Sequence, residues 1–317
     1  MQTVRLGRTK AVVSAAGLGC GGHSRLGMTR GASTEEASRV VSAAIDLGIT
    51  FIDTARLYGT EEAVGLGVKG RRGEVFISTK ASPTGGGPGR DGELITPQAL
   101  TESLEGSLRR LGTDHVDLFN LHGVTLAHYD ACVETLLPEL KRQQAAGKIR
   151  HIGITEAFGA DTRHAMLSRA MPEARFDVAM VGFNLLNASA RRRVFPATQA
   201  NDIGTLIMFA VRRALSHPDV LRDTVEKLLA SGEVAAGAVD PADPLKFLRE
   251  HPEIASEVEA AYRFCRHEPG AHVILTGTGS VEHLKANIAA INAPILPREV
   301  SLRLEAIFGA VESVSGN

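Results

Sequence analysis

Phe51-Ile52-Asp53-Thr54-Ala55-Arg56-Leu57-Tyr58-Gly59 begins on an apolar, strand-like pair, passes straight to a carboxylate, and reaches a phenol five residues later. The next strand-like run, Val75-Phe76-Ile77-Ser78-Thr79-Lys80, ends on an ammonium. The one after it, Val116-Asp117-Leu118-Phe119-Asn120-Leu121-His122, ends on an imidazole. Four reactive groups of different kinds therefore stand at or just past successive strand ends. In a parallel barrel the C-terminal strand ends share one rim, and that rim carries the chemistry.

Outward from this stretch, short apolar runs alternate with longer helical patterns. The runs at 15–20, 50–53, 75–79, 116–121, 149–154, 177–182, 204–210 and 272–275 read as strands. Helical patterns follow at 34–47, about 60–69, from Thr96-Pro97 to Gly112, and at about 130–146, 161–170, 189–201 and 280–290. In the first, Thr34 is the expected cap, positions 37, 40, 41, 44 and 45 make one apolar stripe, and Gly48 is the expected stop. Strands alternating with helices imply βαβ crossovers and a parallel sheet, and eight units favour closure. The expected fold class is α/β, a (β/α)8 TIM barrel occupying residues 1–317 as one domain. Val4–Gly7 and Lys10–Ser14 flank a Gly-Arg-Thr turn and predict an N-terminal β-hairpin closing the barrel floor. Between strands seven and eight, residues 211–271 predict an elaborated crossover with helices at 218–230, 244–250 and 253–267. Gly85–Gly89 reads as a flexible loop and 311–317 as a frayed tail.

The composition agrees with this. The chain has 317 residues, 44% of them hydrophobic, and lacks Trp, so Leu, Val, Ile, Ala and Phe must fill the core. The formal net charge is -1 and the basic residues are dispersed, which argues against nucleic acid as the main partner. Three Cys without a CxxC pair read as a reduced, cytoplasmic protein. No signal peptide and no membrane-spanning run is expected.

The four groups fit proton delivery to a carbonyl. A free phenol has a pKa of about 10, and a neighbouring ammonium lowers it. Tyr58 is then the acid/base, Lys80 its tuner, Asp53 the anchor of Lys80, and His122 the donor that orients the carbonyl oxygen. Taken singly, Asp53 reads as a cap, and Tyr58 and His122 as packing. Their order at successive strand ends favours the chemical reading. The Gly277-Thr278-Gly279-Ser280 loop opens the last helix of the barrel and reads as an anion site, with a Gly-rich turn as its plain alternative. Arg212 and Arg213, just past strand seven, read equally as pyrophosphate ligands or as a solvated basic pair. Cys20 and His23 follow strand one; Cys20 reads as a small buried residue and His23 as a candidate at the substrate mouth.

These residues, in this order, resemble the aldo-keto reductase superfamily. The resemblance runs from the hairpin and Gly17-Leu18-Gly19 through Asp53-Thr54-Ala55, Tyr58-Gly59, Ser78-Thr79-Lys80, Leu121-His122 and Gly147–Gly153. It closes on Gly277–Leu284 ahead of Asn287. It implies an NAD(P)H-dependent oxidoreductase that reduces aldehydes or ketones, or oxidises the corresponding alcohols or sugar hemiacetals. It further implies a cofactor bound extended across the barrel mouth without a Rossmann domain. Family members often hold the nicotinamide carboxamide with Ser-Asn after strand five; here Thr155-Glu156 stands there. Where a Gln is common after strand six stands Met180, with Asn184 a little further on. Phe209 fits the aromatic that stacks on nicotinamide. Gly277, Thr278, Gly279, Ser280, His283 and Asn287 are the expected contacts of the other end of the cofactor, with Lys285 nearby. NADP is the expected cofactor, with NAD or dual use open because the usual basic pair is replaced. The expected partner is a small carbonyl or sugar.

Two other classes are open to this chain. One is a cofactor-binding sensor with little turnover. The other is a different barrel enzyme, such as a Schiff-base aldolase on Lys80, disfavoured because Asp53 raises the lysine pKa when catalysis needs it lowered. A metal-dependent hydrolase lacks its clustered ligands in the sequence, and no metal site is expected.

Overall fold

A computed structural model describes residues 1–317. Strands β1 (Thr3–Arg5) and β2 (Val12–Ser14) pair antiparallel as the predicted hairpin. The next eight close a parallel barrel in chain order: β3 (Ala16–Gly19), β4 (Phe51–Asp53), β5 (Phe76–Ala81), β6 (Val116–Val124), β7 (Ile149–Glu156), β8 (Val178–Gly182), β9 (Gly204–Met208) and β10 (Val273–Thr276). β10 returns to pair with β3. The helices between them are α1 (Thr34–Asp46), α2 (Glu61–Gly67), α3 (Pro97–Leu111), α4 (Leu126–Ala131), α5 (Leu137–Ala145), α6 (Ala165–Ala170), α7 (Ala190–Arg193) and α8 (Phe195–Ala200). The crossover carries α9 (Pro218–Ser231), α10 (Lys246–Arg249) and α11 (Glu257–Arg266). α12 (Val281–Asn292) and α13 (Arg298–Phe308) complete the chain. None is long and apolar enough to cross a membrane.

The period of two along each strand sorts residues between the barrel interior and the helical layer. Phe51, Phe76, Leu118, Val178, Met180, Leu206 and Val273 cluster with Leu6 and Val13 of the hairpin and fill the lower barrel. Two and four residues further along the same inward columns come Asp53, Ser78, Lys80, Asn120 and His122. The column turns from apolar to polar as it climbs to the rim, so the floor excludes water beneath the site. The alternate residues, Ile52, Ile77, Phe119, Ile152, Ile154 and Ala179 among them, face outward into the main core under the helices.

Several local expectations are corrected. Ser33, not Thr34, caps α1: its Oγ accepts from Glu36 N–H and the Glu36 carboxylate accepts from Ser33 N–H, a reciprocal capping box. β6 runs past His122 to Val124 through a register shift against β7. The following helix starts at Leu126 and passes through a π turn at Cys132–Leu136. The segment at 189–201 is two short helices rather than one. α7 ends at Arg193, and Pro196 stands in the first turn of α8, where its missing N–H costs nothing; inside one continuous helix it would break the hydrogen-bond ladder.

The glycine-rich loop is pinned rather than free: Thr84 bridges Leu94, and Gly89 N–H donates to Gly123 O at 2.7 Å. α10 and α11 are shorter than predicted, the second because Ser256 caps it after Pro252. α13 has no predicted counterpart, although Val300, Leu304, Ile307 and Phe308 form its buried stripe. The tail is also ordered: Ala214 N–H donates to Gly316 O at 3.0 Å, and Glu233 accepts from Glu312 N–H at 2.9 Å.

Candidate active site

The inward columns of β4, β5 and β6 bring Asp53, Lys80 and His122 to one rim, and the turn after β4 adds Tyr58. Lys80 Nζ donates to Asp53 Oδ2 at 2.6 Å and to Thr54 O at 2.8 Å, with both side chains buried. Ser78 Oγ donates to Asp53 Oδ1 at 2.8 Å, and Asn120 Nδ2 donates to Ser78 Oγ at 3.0 Å. Tyr58 sits in a 3-10 turn after β4, where Gly59, in the left-handed region (φ 71°), ends the turn. Its Oη lies 3.3 Å from His122 Nε2, with the two rings edge to face. Lys80 Nζ lies 4.9 Å from the centre of the Tyr58 ring.

The electrostatics follow from burial and from one ammonium. Burial raises the Tyr58 phenol, opposed by the positive charge of Lys80. Burial pulls Lys80 down, but Asp53 overrides it and the ammonium ends above its ordinary value. Burial lifts the Asp53 carboxyl against the pull of Lys80 and Ser78. Burial, then the Lys80 charge, pushes His122 down to about 3, so its imidazole is neutral at neutral pH. A neutral imidazole can donate from one nitrogen and accept at the other.

Ser78 and Asn120 are the polar supports that sequence reasoning missed. The signal was present: each stands two residues before a rim residue, Lys80 or His122, on the same inward face.

The expected cofactor contacts divide. Thr155 faces inward; its Oγ1 accepts from Gly123 N–H at 2.7 Å, leaving its hydroxyl proton to donate. Glu156, one residue on, faces outward. It accepts from Gly182 N–H at 2.7 Å and pairs with the buried His164 at 2.9 Å. The expectation that Glu156 meets a carboxamide is corrected: strand parity turns it away and protein donors occupy it. Asn184 is corrected likewise. Its Oδ1 accepts from Leu186 and Asn187 N–H, and its Nδ2 donates to Ser315 O, so its hydrogen bonds are spent on a turn and the tail. Met180 belongs to the barrel floor. Phe209 takes a left-handed backbone (φ 68°) and stays partly exposed at the mouth, its ring edge to face with Phe158. Arg212 lies over the Phe209 ring, 3.8 Å from its centre.

At the other end, Thr278 Oγ1 accepts from Ser280 N–H, and Ser280 caps α12 by accepting from His283 N–H. A methyl at Gly279 would lie 2.5 Å from Gly27, and one at Gly277 2.7 Å from Gly19 O, so both glycines serve close backbone approach. His283 and Lys285 are exposed. Asn287 Nδ2 donates to Thr276 Oγ1 at 2.8 Å. Arg213 and His23 are exposed, and Cys20 is fully buried in the outer core.

Comparison with known proteins agrees with this fold. The model of the Aldo/keto reductase family matches residues 18–307. An uncharacterized oxidoreductase of Bacillus subtilis, YqkF, is 27% identical over 305 residues, 94% of each chain. The NADP(+) aldo-keto reductase yakc of Schizosaccharomyces pombe is 34% identical over 208 residues, 62% of this chain and 58% of its own. The structure of aldo-keto reductase AKR11C1 from Bacillus halodurans, in its holo form, superposes with a TM-score of 0.73 at 24% identity, covering 99% of this chain and 98% of that one. With a family match spanning most of its length on a closed eight-stranded barrel, the chain belongs to the aldo/keto reductase family.

Proposed function

We propose that the protein is an NADP(H)-dependent oxidoreductase acting on an aldehyde, a ketone or a sugar hemiacetal, with Tyr58 as the proton donor and acceptor. The observation that carries this reading is the contact of the Tyr58 phenol with His122 above the buried Asp53–Lys80 pair. The residues present fit a nicotinamide cofactor at Thr155, which has a free hydroxyl proton, at the Phe209 ring, and at the capped loop Gly277–Ser280. When bound, that cofactor supplies or accepts the hydride at the carbonyl carbon.

The protein's own part is the proton. In reduction, the carbonyl oxygen takes the Tyr58 proton as negative charge develops on it, and solvent restores the proton to the phenolate. Lys80 stabilises that phenolate by its charge. Asp53 keeps Lys80 protonated and in place. Neutral His122 offers a hydrogen bond to the same oxygen, a form of stabilisation worth most where water is excluded. In oxidation each proton runs the other way.

Tyr58→Phe removes one oxygen and leaves the ring packing. It should lower kcat by roughly 10²- to 10⁴-fold, the usual contribution of a placed proton donor, while calorimetric titration shows NADPH bound as in the parent. Undiminished turnover in this variant would refute the mechanism. NADPH binding by the parent without reduction of any aldehyde tested would favour a cofactor sensor instead.

A further inference from the structure

Arg212 is a charged group at the mouth that the proposed chemistry leaves without a task. Its guanidinium lies over Phe209, its Nε is buried without a hydrogen-bond partner, and it forms no ion pair. The dipeptide Gly21-Gly22 places it beside the reactive phenol. A methyl on Gly21 would lie 2.6 Å from Tyr58 Cε2, and one on Gly22 would lie 3.3 Å from a terminal nitrogen of Arg212. Adjacent Cα atoms are about 3.8 Å apart, so phenol and guanidinium flank a single peptide unit. Their charges also act on each other: the guanidinium favours the phenolate. From the far side the tail passes close by: a methyl on Gly316 would lie 3.9 Å from Arg212 Cβ.

A guanidinium partly withdrawn from water with its donors unused is costly unless an anion meets it, and its planar fork suits a carboxylate. We infer that Arg212 is the anion subsite of the carbonyl pocket, and that the substrate carries a carboxylate a few atoms from its carbonyl. One guanidinium balances one negative charge, which a carboxylate supplies. The inference rests on the reductase reading above and narrows its substrate class.

The test compares 4-oxobutanoate with butanal, aldehydes of equal chain length that differ in the terminal carboxylate. The parent, Arg212→Gln and Arg212→Lys are assayed with NADPH, and NADPH and 4-oxobutanoate binding are followed by calorimetry in the same samples. The parent should prefer the oxo acid. Arg212→Gln should cut that preference at least about tenfold, chiefly through KM, and Arg212→Lys should restore part of it. A preference unchanged in Arg212→Gln overturns the inference. So does a loss confined to NADPH affinity, which would assign Arg212 to the cofactor pyrophosphate. If the parent reduces neither aldehyde, the reductase reading fails by itself. Binding of 4-oxobutanoate, weakened or not in Arg212→Gln, still decides the subsite.

Discussion

At the scale of the residue, the site depends on one buried ion pair. Lys80 and Asp53 are at most 3% exposed, and each satisfies the other with Ser78 and Thr54 O in support. Such a pair stabilises little against a well-packed apolar pair, yet breaking it strands a buried charge. Asp53→Leu should therefore destabilise the fold by about 3–5 kcal/mol. Adding Lys80→Met should recover most of that loss without restoring turnover. Urea unfolding of the two variants checks this, and a single variant as stable as the parent would show that Lys80 finds another partner or sheds its proton. The double variant separates what the pair does for stability from what Lys80 does for the phenol.

At the scale of the element, the tail after α13 acts as a strap. Its carbonyls accept from Asn184 Nδ2, Asn187 Nδ2 and the Ala214 amide, and Val311 is fully buried. These donors lie in the segments that follow β8 and β9, the second of which carries Phe209 and Arg212. Deleting residues 312–317 removes the acceptors of Asn184 Nδ2 and the Ala214 amide, while Asn187 Nδ2 keeps Thr162 O; an unmet buried donor costs about 1–3 kcal/mol. The expected outcome is a lower unfolding midpoint together with faster hydrogen exchange at the Ala214 amide, while amides within the barrel strands keep their protection. Unchanged exchange at Ala214 would mean that the segment after β9 holds its shape without the strap.

At the scale of the whole molecule, burial of neutral imidazoles sets the acid limb of stability. Burial lowers His122 to about 3, and burial also lowers His151 and His272. The ordinary value is 6.5, so below it the unfolded chain binds protons that the folded chain refuses. Stability contributed by these groups is present above that pH and is lost as pH falls toward their folded values. Asp53 and Glu156, raised by burial from 3.8 and 4.5, act with the opposite sign above those values and offset part of this loss. The urea midpoint should therefore fall between neutral pH and about pH 5, where histidine titration dominates. His122→Gln should flatten that slope, and a variant curve parallel to the parent would assign the slope to other groups.

The order of strands, the barrel and the four rim residues were legible in the sequence because they depend on local periodicity. A period of two fixes which side chains face inward, and strand ends in a parallel barrel converge by topology. The same rule, applied one residue further, would have turned Glu156 outward and marked Ser78 and Asn120 as inward supports. Only the tertiary structure decided the rest. Asn184 meets Ser315 across 131 residues of chain, and Arg212 meets Phe209 through a backbone turn whose left-handed residue is not glycine. Such contacts follow from how the closed barrel presents its rim to loops and tail, and no local pattern encodes which donor is left without a partner there.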